Sequence, residues 1–85
     1  MPKDSSAPAS KVLSDLRPGD FATIIALHTS DEALYQRLLA LGMRVGKSIT
    51  IMRQAPFGGP LQVRIGSTDI LIRTSEANKI SVQKS

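Results

Sequence analysis

The chain has 85 residues, a formal net charge of +4 and no cysteine, so it holds one small domain that must fold without disulfide staples or thiolate metal sites. Residues 1–10 are rich in Ser and Pro and contain no apolar run long enough for a signal peptide or a membrane span, which predicts a disordered tail, a domain over 11–85 and a soluble protein of the cytoplasm. The pI near 10.0 permits attraction to anionic partners, but Lys and Arg are scattered, and three aromatic residues, Phe21, Tyr35 and Phe57, are too few for a base-stacking platform.

Val12-Leu13-Ser14-Asp15-Leu16 leads into Arg17-Pro18-Gly19-Asp20, a turn in which Pro presets one position and Gly takes positive φ. A strand over 21–27 follows. It places Phe21, Thr23, Ile25 and Leu27 on one face and Ala22, Ile24 and Ala26 on the other, so both faces are largely apolar and both need cover. His28-Thr29-Ser30-Asp31-Glu32 then supplies a helix start, with Thr29 and Glu32 at capping-box spacing and Ser30 as a competing N-cap. Leu34, Leu38 and Leu41 recur at i, i+4 and i+7 as one buried stripe. Gly42 is placed to end the helix as a left-handed C′ residue, with Met43 making the apolar contact of a Schellman closure.

Arg44-Val45-Gly46-Lys47 repeats the pattern of the first turn and opens a strand of β-branched residues over 48–53. Ala55-Pro56-Phe57-Gly58-Gly59-Pro60 is a rigid corner. Beyond it, Leu61-Gln62-Val63-Arg64-Ile65 alternates cleanly, Gly66-Ser67-Thr68-Asp69 makes a tight hairpin, and Ile70-Leu71-Ile72-Arg73 returns as its partner. Thr74 or Ser75 opens a single helical turn before a closing strand over 79–82. The expectation is a mainly β protein with one α-helix: a small SH3-like β-barrel of about five strands, with the helix between the first and second. An OB fold is the nearest competitor, but its helix normally comes later in the chain.

Four elements in order, Leu13-x-x-Leu16-x-x-Gly19-Asp20, Arg37-Leu38-Leu39-Ala40-Leu41-Gly42-Met43-x-x-Gly46, the 55–60 corner, and Glu76-Ala77-x-x-Ile80-x-Val82, make the chain resemble the FeoA family of bacterial ferrous-iron transport. One departure is Val45, where the family usually carries Pro. The resemblance implies an SH3-like barrel, a cytosolic accessory role and a partner, the FeoB membrane transporter with its GTP-binding domain. FeoA-like domains also occur fused to that transporter and at the C-terminus of metal-dependent repressors. With no winged-helix segment before the barrel, the freestanding form is expected here.

The residues themselves offer little chemistry. His28 is the only histidine, and without Cys or a carboxylate cluster it cannot complete a transition-metal site alone. No Ser–His pair is evident, and the glycines of the corner open a strand rather than a phosphate-binding helix. The expectation is therefore no enzyme, no cofactor, no catalytic residue and no metal ligand. Partner contacts are expected instead at Tyr35 and Leu39, about 100° round the helix from the buried stripe, at Arg37, Met43 and Arg44, and at Pro56, Phe57, Gly58, Gly59 and Pro60 of the corner. The alternative is a small basic barrel that binds single-stranded RNA.

Overall fold

The computed structural model describes residues 10–84, so the tail expected over 1–10 lies outside the described residues except for Ser10, which opens the first strand. Its elements are β1 (Ser10–Val12), a 3-10 turn (Leu13–Asp15), β2 (Phe21–Leu27), α1 (Glu32–Ala40), β3 (Ser48–Gln54), β4 (Leu61–Ile65), β5 (Thr68–Ile72), α2 (Thr74–Ala77) and β6 (Ile80–Lys84). All strands join one antiparallel sheet in the order β1-β6-β2-β3-β4-β5. The five-strand expectation is corrected to six, because β1 is too short to carry a period and exists only through its pairing with β6, Ser10 opposite Gln83 and Val12 opposite Ser81. That extra strand moves α1 to the connection between β2 and β3. No ladder joins β5 to β1, so the expected closed barrel is a hydrogen-bonded sheet open at those two strands. Among the described residues no helix is long and apolar enough to cross a membrane.

Two turns of one design frame the β2–β3 pair. Asp20 N–H bonds to Arg17 C=O at 2.9 Å and Lys47 N–H to Arg44 C=O at 3.1 Å, with Gly19 and Gly46 both at φ 93°, as type II turns require. Each turn then adds rungs to the ladder. Gly19 N–H reaches Ile51 C=O and Gly46 N–H reaches Ile24 C=O, both at 2.8 Å. The repeated sequence pattern is thus one device used at either end of the same strand pair.

The helix begins at Asp31, not at Thr29 or Ser30. Asp31 Oδ1 accepts from Leu34 N–H at 3.1 Å, while Thr29 Oγ1 accepts from Asp31 N–H at 3.0 Å and so orients the cap from outside. It ends as the sequence predicts: Gly42 has φ 94°, Met43 N–H bonds to Leu38 C=O at 2.9 Å and Gly42 N–H to Leu39 C=O at 3.0 Å, the two bonds of a Schellman motif. At α2 neither Thr74 nor Ser75 caps. The chain enters from Arg73, whose N–H bonds to the Glu76 carboxylate at 3.1 Å.

The core lies between the curled sheet and α1. Leu13, Leu16, Ala22, Ile24, Leu38, Met43, Ile49, Ile51, Leu61, Val63, Ile72, Ala77, Ile80 and Val82 are buried, with Leu34 and Leu41 packed against them. Burying each of the larger side chains contributes about 1.5–3 kcal/mol before entropy is counted. Cover is unequal on the two faces of β2. Ala22 and Ile24 are buried, whereas Phe21 is 49% and Ile25 38% exposed.

Candidate functional site

Most of the residues expected to meet a partner fall on two surfaces on either side of α1, while Pro56 lines a smaller third groove with Arg53 and Phe57 stands clear of all three. Tyr35 and Leu39 face a groove of about 460 Å³ between α1 and β2, completed by Ile25, Leu27, Arg44 and Val45. Arg37, two residues beyond Tyr35 and so about 200° round the helix, faces a second groove of about 580 Å³ with Gly58, Gly59 and Pro60. The Tyr35–Leu39 face of the helix and the corner therefore do not form one face, whereas Arg37 joins the corner. Met43 belongs to neither, being wholly buried; it closes the helix from beneath.

From β2 the first groove is lined by Ile25, exposed on the odd face of the strand like Phe21, in alternation with buried Ala22 and Ile24. The register with β6 slips between Ile24 and Ala26, so Ile25 is the bulged residue with no opposite residue on β6. Val45, the second residue of the type II turn 44–47, stands 64% exposed at the rim, and Tyr35 is 37% exposed. The result is a trough lined largely by apolar side chains, with one guanidinium, that of Arg44, at its edge. Sequence reasoning named Tyr35, Leu39 and Arg44 but missed Ile25 and Val45. The one available signal was the apolar odd face of β2.

The second groove is built on the corner. Ala55 N–H bonds to Pro60 C=O at 3.0 Å across its base, and Gly59 N–H to Pro56 C=O at 3.2 Å across its tip. Phe57 at φ 61° and Gly58 at φ 74° occupy the two central positions, both left-handed as in a type I′ turn. Thr74, the first residue of α2, holds the tip, its one hydroxyl proton within reach of the carbonyls of Gly58 (2.8 Å) and Gly59 (3.0 Å). Phe57 projects from this frame fully exposed.

Charge around the corner is mainly basic. Arg37 pairs with Glu76, whose other oxygen holds the Arg73 N–H. Arg64 binds Asp69 through two bonds, 2.7 and 3.1 Å, and Gln62 adds a third at 3.0 Å. These bonds, Arg64 first, hold the Asp69 carboxyl below its ordinary value. Among the described residues, Arg73 and Arg53 have no carboxylate within ion-pair distance. Leu71, 61% exposed, stands between the second groove and a smaller one that holds Arg53. The sequence reading missed Leu71, Arg73 and the role of Thr74, since Ile70-Leu71-Ile72 is uniformly apolar and hides which member faces out.

His28 is used structurally: its N–H bonds to Lys79 C=O at 2.6 Å and its Nε2 meets Ser81 Oγ at 2.7 Å, tying the end of β2 to the start of β6. Among the described residues no three His, Cys, Asp or Glu side chains gather as a metal site requires.

Comparison with known proteins places this geometry. The chain is 34% identical over 71 residues to the Fe(2+) transport protein A/Fe(2+) transporter FeoB fusion protein of Porphyromonas gingivalis, a match that covers 84% of this chain and 8% of that relative. The solution structure of iron(II) transport protein A from Clostridium thermocellum superposes with a TM-score of 0.80 at 38% identity, over 86% of this chain and 44% of that one. The zinc complex of Stenotrophomonas maltophilia FeoA, described as a prokaryotic SH3 domain protein, gives a TM-score of 0.76 at 27% identity, over 88% and 95% of the two chains. The sequence model of the FeoA domain matches residues 11–84, almost the whole of the described sheet and both helices, and the chain belongs to the FeoA family of ferrous-iron transport, with its SH3-like fold.

Proposed function

We propose that this chain is a non-enzymatic accessory protein of ferrous-iron uptake that works in the cytoplasm by docking on a FeoB-like GTPase transporter. The observation that carries the reading is the Porphyromonas gingivalis relative, in which a domain like this one shares a single chain with FeoB. A covalent link raises the effective concentration of one partner at the other, which has use only where the two surfaces meet. The chain spans 8% of that relative's length; in this reading transport belongs to the remainder and this chain supplies contact.

The trough between α1 and β2 is the docking surface in this reading. Ile25, Tyr35 and Val45 expose apolar surface on a rigid frame of strand, helix and turn, so little entropy is lost when a partner side chain enters. Arg44 at the rim steers an acidic partner face.

The experiment is calorimetric binding of the purified chain to the detergent-solubilised transporter from the same source, in apo, GDP and GTP-analogue states. Val45→Asp places a charge in the trough from an exposed turn position and should weaken binding about tenfold, or ~1.4 kcal/mol, with thermal unfolding unchanged. Equal affinity of Val45→Asp and the wild type would remove the trough as the docking surface. No binding in any nucleotide state would remove the function.

A further inference from the structure

The groove beside the corner has features that the trough lacks. It is the larger, and its apolar surface, Leu71 and Pro60, adjoins the guanidinium groups of Arg37 and Arg73 and is shared with the smaller groove that holds Arg53. Phe57 stands fully exposed in a left-handed backbone conformation. Such a conformation disfavours an L-residue, and strained positions of this kind persist where the surroundings impose them. Here the imposing contacts are visible: the Thr74 hydroxyl on the carbonyls of Gly58 and Gly59, and the Ala55–Pro60 bond at the base. The chain keeps an aromatic side chain at a position that glycine would fill more easily.

We infer that this groove is a second contact surface and that it binds an acidic, apolar segment of a partner protein. Arg73, which has no carboxylate partner among the described residues, takes a carboxylate, and Leu71, Pro60 and Phe57 take the adjoining apolar side chain. The inference rests on the docking role proposed above and names the chemistry of the segment docked. Charge selects the occupant. A second copy of this chain would bring the same arginines to the interface, and like charges facing across a contact exclude it. A nucleic-acid strand would satisfy the guanidinium groups but leave Leu71 and Pro60 against solvent, and one aromatic cannot stack successive bases. Aspartate or glutamate interleaved with leucine satisfies both halves of the groove.

The probe is a blocked hexapeptide of alternating Asp and Leu, titrated into the ¹⁵N-labelled full chain, with the Asn/Leu peptide and a single-stranded oligouridine as controls. The Asp peptide should shift the amides of Gly58, Gly59, Arg73 and Thr74, and Arg73→Gln should weaken the response about tenfold or more. Thr74→Val, which frees the tip, should weaken it without altering any charge. An equal response to the Asn peptide, tighter binding of the oligouridine at these amides, shifts confined to the trough, or no shifts would each overturn the inference. The transporter experiment separates the two readings. Intact transporter binding by Arg73→Gln together with a silent Asp peptide would refute the groove and leave the function standing. An intact peptide response with no transporter binding would refute the function and leave the groove's chemistry standing.

Discussion

Replacing Gly59 by alanine should destabilise the protein through space alone. The residue is not in the left-handed region, so its backbone accepts a side chain. The new Cβ, however, would lie 2.6 Å from the Ala55 Cβ and 3.2 Å from the Pro56 carbonyl oxygen, against the roughly 3.5–4.0 Å at which carbon atoms sit in contact. About 1 Å must be found. The corner cannot easily give it, because Ala55 N–H is bonded to Pro60 C=O at 3.0 Å and Thr74 holds both glycine carbonyls from the other side. Overpacking of this kind costs about 1–3 kcal/mol, which in a domain of this size lowers Tm on the order of 5 to 20 °C. Since the nearest obstruction is one methyl group, Ala55→Gly should restore most of the loss in the double variant, although alone it costs roughly 0.5–1 kcal/mol. Thermal and urea unfolding of the wild type, the two single variants and the double variant measure the coupling directly. Wild-type stability in Gly59→Ala, or a double variant no better than the sum of the singles, would refute the reasoning.

The same corner predicts a trade between stability and binding. Phe57→Gly relieves a left-handed cost of about 1–2 kcal/mol and gives back roughly 0.5–1 kcal/mol in unfolded-chain entropy, so it should raise the urea midpoint modestly while weakening the response to the Asp/Leu peptide. A lowered midpoint would mean that Phe57 packs usefully in the folded state. The Arg64–Asp69 pair predicts a pH dependence. Asp69 has its carboxyl held below the ordinary value of 3.8, chiefly by the Arg64 bonds and then by Gln62, so the pair's stabilisation is complete above that value and is lost as pH falls through the depressed folded value. Asp69→Asn should therefore lose stability at neutral pH and show a flatter acid limb; parallel acid limbs for wild type and variant would refute the assignment.

How much was readable from the chain depended on how local each feature is. The strand over 61–65, the core-facing stripe of Leu34, Leu38 and Leu41, of which Leu38 is fully buried, the two Gly turns and the Gly42 helix stop follow from periods and turn chemistry within a few residues, and they stand in the structure where the sequence puts them. The return strand runs over Thr68–Ile72 rather than 70–73, because the hairpin turns within Gly66-Ser67 and Asp69 already pairs with Arg64. The cap at Asp31 was missed because Thr29, Ser30 and Asp31 all carry capping oxygens, and only the backbone path selects one. Strand β1 was missed because three residues carry no period; its pairing with β6 makes it a strand.

The family, too, was legible, since it rests on the order and spacing of motifs along one chain. The candidate surfaces were not. Ile25 becomes a groove residue only because Tyr35 and Leu39 of α1 and Arg44 and Val45 of the turn line the same groove, and Leu71 only because Ile70 and Ile72 face the core side of the edge strand. Thr74 reaches Gly58 across 16 residues and Arg37 reaches Glu76 across 39. The sequence by itself determined the local elements, the apolar core positions and the family, because backbone geometry and side-chain period act between near neighbours. The tertiary structure alone decided that the helix is divided between two surfaces, Tyr35 and Leu39 on one and Arg37 with the corner on the other, because register and long-range bonds settle which side chains are left facing water.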